Sequence, residues 1–181
     1  MEISQGGGIF RSANLKYGSA DEKAIKKANA DIMKAFGVKA GATHTEFIKS
    51  KETGEIYFLE TSSRVGGAHL AEMVEAATNV NLWAEWAKIE DANAKNLKYQ
   101  LPKVTKNYAG ILLTLSKQEH PDLSTFDDEE VYFRVPLAYH AGLIVKSKEK
   151  NRVMELLDSY AVRFAQDLST VANDQELKKF H

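Results

Sequence analysis

The stretch Gly41-Ala42-Thr43-His44-Thr45-Glu46-Phe47-Ile48-Lys49-Ser50-Lys51-Glu52-Thr53-Gly54-Glu55-Ile56-Tyr57-Phe58-Leu59-Glu60-Thr61-Ser62-Ser63-Arg64-Val65-Gly66-Gly67 decides how this chain is read. Two strand-like runs flank Glu52-Thr53-Gly54. A three-residue loop with Gly in third place suits a type I turn closed by a G1 bulge. That loop pairs Lys51 with Glu55, and the register runs back to set Glu46 opposite Glu60. Side chains alternate along strands, so Glu46 is expected to share a face with Ile48, and Glu60 with Ile56 and Phe58. Two facing carboxylates at the end of an apolar face repel each other and are costly to desolvate. A cation between them relieves both effects.

Neighbouring residues extend the pattern. Ser62 lies two residues past Glu60, faces the same way and adds a hydroxyl. Arg64 is expected to continue the alternation, offering a forked donor suited to phosphate. Hard oxygen donors on a hairpin suit Mg²⁺, which takes one or two carboxylates plus phosphate oxygens and water. Spacing leaves an alternative open: a surface hairpin whose Glu46 and Glu60 pair with Arg64 or with lysines. Gly66-Gly67 precedes a helix, where glycines let backbone approach a ligand and a helix N-terminus attracts anions. A Gly-Gly pair alone is common at strand-to-helix turns, and its place directly after Arg64 is what raises it.

Other features read as structural. Gly6-Gly7-Gly8 resembles a phosphate loop, but Ile9-Phe10 continues as a strand and no Lys-Ser or Lys-Thr follows, so a turn or bulge is expected. His44 shares the face of Glu46 and is read as a hydrogen-bonded structural histidine. Trp83 and Trp86 fall on a helical stretch with Leu82 and Ile89, which assigns them to core packing. His69, His120 and His140 are too scattered for any ligand spacing to unite them.

Further out, composition bounds the function classes. The 181 residues carry 24 Lys and Arg against 25 Asp and Glu, a net charge of −1. No single-sign field points to nucleic acid or a membrane surface. There is no Cys, which excludes disulfides, thiolate metal sites and cysteine nucleophiles and fits a cytoplasmic address. No apolar run approaches the roughly 20 residues of a membrane span. Ile3-Ser4-Gln5-Gly6-Gly7-Gly8-Ile9-Phe10 is strand-and-turn material from the outset, so the chain is expected to open inside a fold.

The pattern of apolar residues predicts a helix over 19–36. Ser19 and Glu22 form a capping box, Ile25, Ala28, Ile32 and Phe36 mark a buried face, and Gly37 is the left-handed closing residue. Further helices are expected over about 68–77, on Leu70, Met73, Val74 and Ala77, and over about 81–93. A polar run interrupted by Pro102 marks a connector at 94–106. Strands follow at 108–115, about 130–135 and about 138–146. A helix over 148–168 closes the fold on Val153, Leu156, Leu157, Tyr160 and Phe164. The division is then 1–93, the connector 94–106, a C-terminal lobe over 107–170 and a polar tail over 171–181.

Gly41 to Phe47, with Tyr57-Phe58-Leu59-Glu60-Thr61-Ser62-Ser63-Arg64-Val65-Gly66-Gly67, resembles the nucleotide-binding core of ATP-grasp enzymes. The form is similar to the carboxylate–amine ligase branch related to biotin carboxylase and carbamoyl-phosphate synthase. The likeness covers about 5–90, and 107–168 resembles the C-terminal lobe that follows that core. It implies an α+β fold: an ATP-grasp second lobe, an antiparallel sheet with helices on it, then a small strand-and-helix lobe. It also implies ATP with Mg²⁺ or Mn²⁺ as cofactors, and assigns Glu46 and Glu60 to the metal. Ser62 stands where the family has Asn, and a hydroxyl ligates with shorter reach. Arg64 is assigned to the transferred phosphate or the acyl phosphate, with Gly66 and Gly67 beside it in the cofactor site. Biotin carboxylases carry Glu-His where this chain has Ala68-His69, so bicarbonate chemistry is not expected. Arg64-Val65-Gly66-Gly67 resembles amino-acid or peptide ligases. The Gly-rich loop, phosphate-binding lysines and adenine hinge of such enzymes are not seen in this sequence. The implied function is the C-terminal portion of an ATP- and Mg-dependent carboxylate–amine ligase, inactive as this piece alone. Its partners are nucleotide and a small carboxylate and amine in the complete enzyme, with a homodimer and without nucleic acid or membrane. The alternative is a silent domain acting by self-association or partner binding.

Overall fold

The computed structural model describes residues 8–170, so the expectations for Gly6, Gly7 and the tail over 171–181 lie outside the described residues. The chain forms two compact units that interleave along the sequence. Among the described residues, one takes 8–14, Ala68–Asn79 and 105–170, and the other takes Leu15–Gly67 and Val80–Val104. A linear division at 94–106 does not follow this interleaving, because the first strand and one helix pack with the residues that come after Thr105.

In the first unit, β1 (Phe10–Ala13), β4 (Tyr108–Leu115), β5 (Val131–Arg134) and β6 (His140–Ser147) form an antiparallel sheet in the order β1-β4-β6-β5. Both central strands are apolar on both faces, which requires cover on each side. Leu112, Leu143 and Val145 pack with Val153, Leu156, Leu157, Tyr160 and Phe164 on the side of α4 (Lys150–Arg163). Ala109, Ile111 and Ile144 pack with Met73, Ala76 and Ala77 of α2 (Leu70–Thr78). Gly110 permits the first of these contacts, since a Cβ there would lie 2.5 Å from Leu157 Cδ1 and 3.0 Å from Val153 Cγ1.

The five residues expected to bury the last helix are all in this core. That helix ends as a π-helical turn over Phe164–Leu168, with the Ser169 N–H reaching the Phe164 carbonyl at 2.8 Å. Helix α2 starts at Leu70 rather than 68, because Ala68 and His69 take left-handed φ of 51° and 58°. Met73 and Ala77 of its expected stripe are buried, joined by Ala71 and Ala76.

The second unit holds α1 (Ala20–Ala35), β2 (His44–Lys49), β3 (Ile56–Ser62) and α3 (Leu82–Ala94). Ser19 caps α1 by accepting from the Glu22 N–H at 3.2 Å. At the other end the Gly37 N–H reaches Lys34 O and the Val38 N–H reaches Met33 O, with Gly37 at φ 67°. This is a Schellman closure, as the sequence predicts. The apolar stripe of α1 is only half-buried, and Phe36 is 59% exposed. The reason is thin cover: within its unit α1 packs on a two-stranded hairpin, through contacts such as Phe36 with Phe58. The assignment of Trp83 and Trp86 to a core is also corrected. Helix α3 buries no residue, Trp83 is 52% exposed, and the Trp86 indole N–H donates to Glu90 at 2.9 Å.

Candidate functional site

The hairpin reaches the expected pairing by a different route. The Ser50 N–H donates to Glu55 O at 2.8 Å, so the loop is the four residues 51–54 rather than three. Ser50 shapes it, its Oγ accepting from the Glu52 and Thr53 N–H groups at 3.2 and 3.1 Å, and Gly54 closes it at φ 74°. Lys49 thus faces Ile56, Ile48 faces Tyr57 and Phe47 faces Phe58, one step off the expected register. A bulge at Leu59 then restores the step, and Glu46 faces Glu60. A bulge sets two residues against one and reverses the facing of everything beyond it. Glu60 therefore shares its face with Tyr57, not with Phe58 and Ile56 as expected.

Two faces result. Thr45, Phe47 and Lys49 lie with Ile56, Phe58 and Thr61 on the side of α1. There the Thr45 and Thr61 hydroxyls meet at 2.8 Å and Lys49 pairs with Asp21 at 2.6 Å. The opposite face carries His44, Glu46 and Ile48 beside Ser62, Glu60 and Tyr57. Ile48 and Tyr57 are each about half exposed. Tyr57 donates to Glu55 at 2.6 Å, a hydrogen bond that raises its pKa above the ordinary tyrosine value.

The His44 Nε2 stands 3.3 Å from Glu46 Oε1, with the two side chains 24% and 39% exposed. Among the described residues the Glu60 carboxylate makes no hydrogen bond or ion pair. The surface-hairpin alternative required Glu46 and Glu60 to pair with Arg64 or lysines, and no such pair is among the described salt bridges. Facing like charges on an open strand pair cost only about 0.2–1 kcal/mol. Repulsion alone therefore does not demand a cation. The stronger observation is the set of unsaturated oxygen donors on one face.

Strand β3 ends at Ser62, so Arg64 is set by a bend and not by the expected alternation. Its N–H donates to Ser62 O at 2.9 Å, and its Nη1 donates to Val65 O at 3.0 Å. Val65, 2% exposed, pins the bend, while Arg64 is exposed. Gly66 and Gly67 follow without positive φ. A Cβ on Gly66 would meet His44 Nδ1 at 2.9 Å, whereas Gly67 has only Arg64 Nη1 at 3.9 Å. The i, i+2 placement of His44 and Glu46 was legible in the sequence. The approach of Gly66 to the His44 ring was not.

Among the described residues no group of three or more His, Asp or Glu is arranged to hold a metal ion. The described residues thus form no dedicated protein cage. Two carboxylates and a hydroxyl on one face remain the donor set of a cation that keeps ligand oxygens and water, as Mg²⁺ does. The residues fit that group.

No protein-family model and no curated protein matches the chain, but solved structures do. L-amino acid ligase from Bacillus licheniformis aligns over 92% of this chain and 44% of its own, at 18% identity and TM-score 0.62. N5-carboxyaminoimidazole ribonucleotide synthetase from Thermotoga maritima aligns over 90% and 46%, at 14% identity and TM-score 0.64. Phosphoribosylglycinamide synthetase from Anaerococcus prevotii aligns over 95% and 47%, at 16% identity and TM-score 0.56. All three are ATP-grasp enzymes. The chain has the ATP-grasp fold in part, and it spans just under half the length of these proteins. The expected fold is borne out.

Proposed function

We propose that the chain carries the metal- and phosphate-binding half of an ATP-dependent carboxylate–amine ligase, with amino acids or peptides as the substrate class. The observation that carries this reading is the register that sets Glu46 opposite Glu60 on an open face with Ser62. The fold shared with L-amino acid ligase supports the substrate class. Glu46, Glu60 and Ser62 would hold Mg²⁺ or Mn²⁺, which supplies charge neutralisation for the ATP phosphates when bound. Arg64, exposed beyond the strand, offers its N–H fork to the transferred phosphoryl, and Gly66 and Gly67 leave backbone open beside it. In the complete reaction the γ-phosphoryl moves to a substrate carboxylate, releasing ADP. The amine then attacks the acyl carbon and inorganic phosphate leaves.

Because the face lacks a third acidic donor, Mn²⁺ should bind tightly only together with nucleotide. Calorimetry on the 181-residue chain checks this. Mn²⁺ affinity should rise on adding ADP, and Glu60→Ala should weaken the ternary complex about tenfold or more, on the order of 1.4 kcal/mol. Identical binding by wild type and Glu60→Ala counts against the reading. ATP turnover by these residues alone should be negligible, and a steady ATPase rate abolished by Glu46→Ala would overturn that.

A second reading, association through an uncovered surface, is favoured by one observation. The second unit displays Ile48, Leu97, Leu101 and Val104 to solvent. Its test is whether these segments gain protection from exchange as protein concentration rises.

A further inference from the structure

One histidine on the hairpin face has no role in the metal reading. His44 pairs with Ser62 across the hairpin and lies on the face of Glu46 and Glu60. Its Nε2 is 3.3 Å from Glu46 Oε1, at the long end of a hydrogen bond. An ionised carboxylate only accepts, so the imidazole must carry its proton on Nε2 and donate. Behind the ring stands Gly66, where a Cβ would fall 2.9 Å from Nδ1, 3.3 Å from Cε1 and 3.5 Å from Cγ. A Cβ there would clash with Nδ1 and crowd Cε1, so any side chain at this position would force the imidazole to shift from its place beside Glu46.

We propose that His44 is a positioning residue for the Glu46 carboxylate, and that Gly66 is side-chain-free to seat its ring. The inference rests on the metal reading of Glu46 and Glu60 given above. A glutamate on an open strand face samples many rotamers, and holding it in one costs conformational entropy at the moment a cation binds. His44 removes that freedom beforehand by tethering Oε1 and leaving Oε2 for a ligand. Gly66 stands two residues past Arg64, so the ring also links the strand that offers the carboxylate to the bend that offers the guanidinium. Partners that orient a ligating side chain in this way typically contribute about 10- to 100-fold to metal affinity.

The test titrates Mn²⁺ into the full chain with ADP, following free Mn²⁺ by electron paramagnetic resonance, and records thermal midpoints without metal. His44→Phe keeps ring volume against Gly66 and removes the donor. It should weaken Mn²⁺ binding about 10- to 100-fold while leaving the metal-free midpoint unchanged. His44→Gln, which restores an N–H donor, should recover part of that loss. If His44→Phe binds Mn²⁺ as wild type does while Glu60→Ala loses it, His44 has no positioning role and the metal reading survives. If Glu60→Ala also binds as wild type does, both fall. If His44→Phe and His44→Gln lower the metal-free midpoint and lose affinity alike, His44 is a packing residue and the proposal is overturned.

Discussion

Gly66 and Gly67 are indistinguishable in the sequence and occupy different environments. Neither takes left-handed backbone, which Ala68 and His69 adopt instead at φ 51° and 58°. Gly66 is required by proximity, with His44 Nδ1 2.9 Å from where its Cβ would stand, and Gly67 is not so constrained. Proximity between residues more than twenty positions apart leaves no local trace, which is why spacing alone could not separate them. Gly66→Ala should displace the His44 ring and cost about 1–3 kcal/mol as an overpacking change. Gly67→Ala should stay within about 0.5 kcal/mol of wild type. Urea unfolding of both variants measures the difference, and equal midpoints would show that the His44 ring gives way freely.

Among elements, helices were the most legible because their signals are local. The Ser19 cap, the Gly37 closure and the buried stripe of α4 each follow from residues within a turn or two of one another. The hairpin was legible in its result and misread in its parts. Its loop is one residue longer than Glu52-Thr53-Gly54 implies, because Ser50 pairs with Glu55 and its hydroxyl organises the turn. The Leu59 bulge cancels the shift, and no residue at 59 announces it. A network between the start of β5 and α4 was not read from the sequence at all. Arg152 holds Glu130 through Nε at 2.7 Å and Nη2 at 3.1 Å, and holds Asp128 through Nη2 at 2.8 Å. Tyr160 donates to the other Asp128 oxygen. The Tyr160 hydrogen bond first, and then Arg152, hold Asp128 below the usual carboxylate range, and the Arg152 hydrogen bond does the same for Glu130. Folded values below unfolded ones mean that these groups stabilise the fold above the unfolded pKa of about 4. That contribution is lost as pH falls through the folded values. The thermal midpoint should therefore drop as pH is lowered from about 5 towards 3. Arg152→Met should start lower and drop less across that window, and a parallel profile for the two proteins would remove Arg152 as the cause.

At the scale of the molecule, composition reports that 44% of residues are apolar but not how they are shared out. Of the buried apolar side chains among the described residues, only Val65 belongs to the second unit, and all the others belong to the first. The first unit has a sheet covered on both faces. The second has one hairpin, two helices without a buried residue, and exposed Phe36, Ile48, Trp83, Leu97 and Leu101. Regions with few buried apolar contacts open more readily than the regions that hold the core. Backbone amides of β2, β3 and α3 should therefore exchange with solvent faster than those of β4, β6 and α4 at low protein concentration. Concentration then separates the two readings of the surface. If copies of the chain cover one another, exchange at Ile48, Tyr57 and the stretch from Leu97 to Val104 should slow as protein concentration rises, while β4 and β6 stay unchanged. If the surface is matched instead to the remaining half of a ligase, protection should be independent of concentration, and the chain should sediment as a monomer throughout. Uniformly slow exchange in both units would contradict the uneven core from which the prediction is drawn.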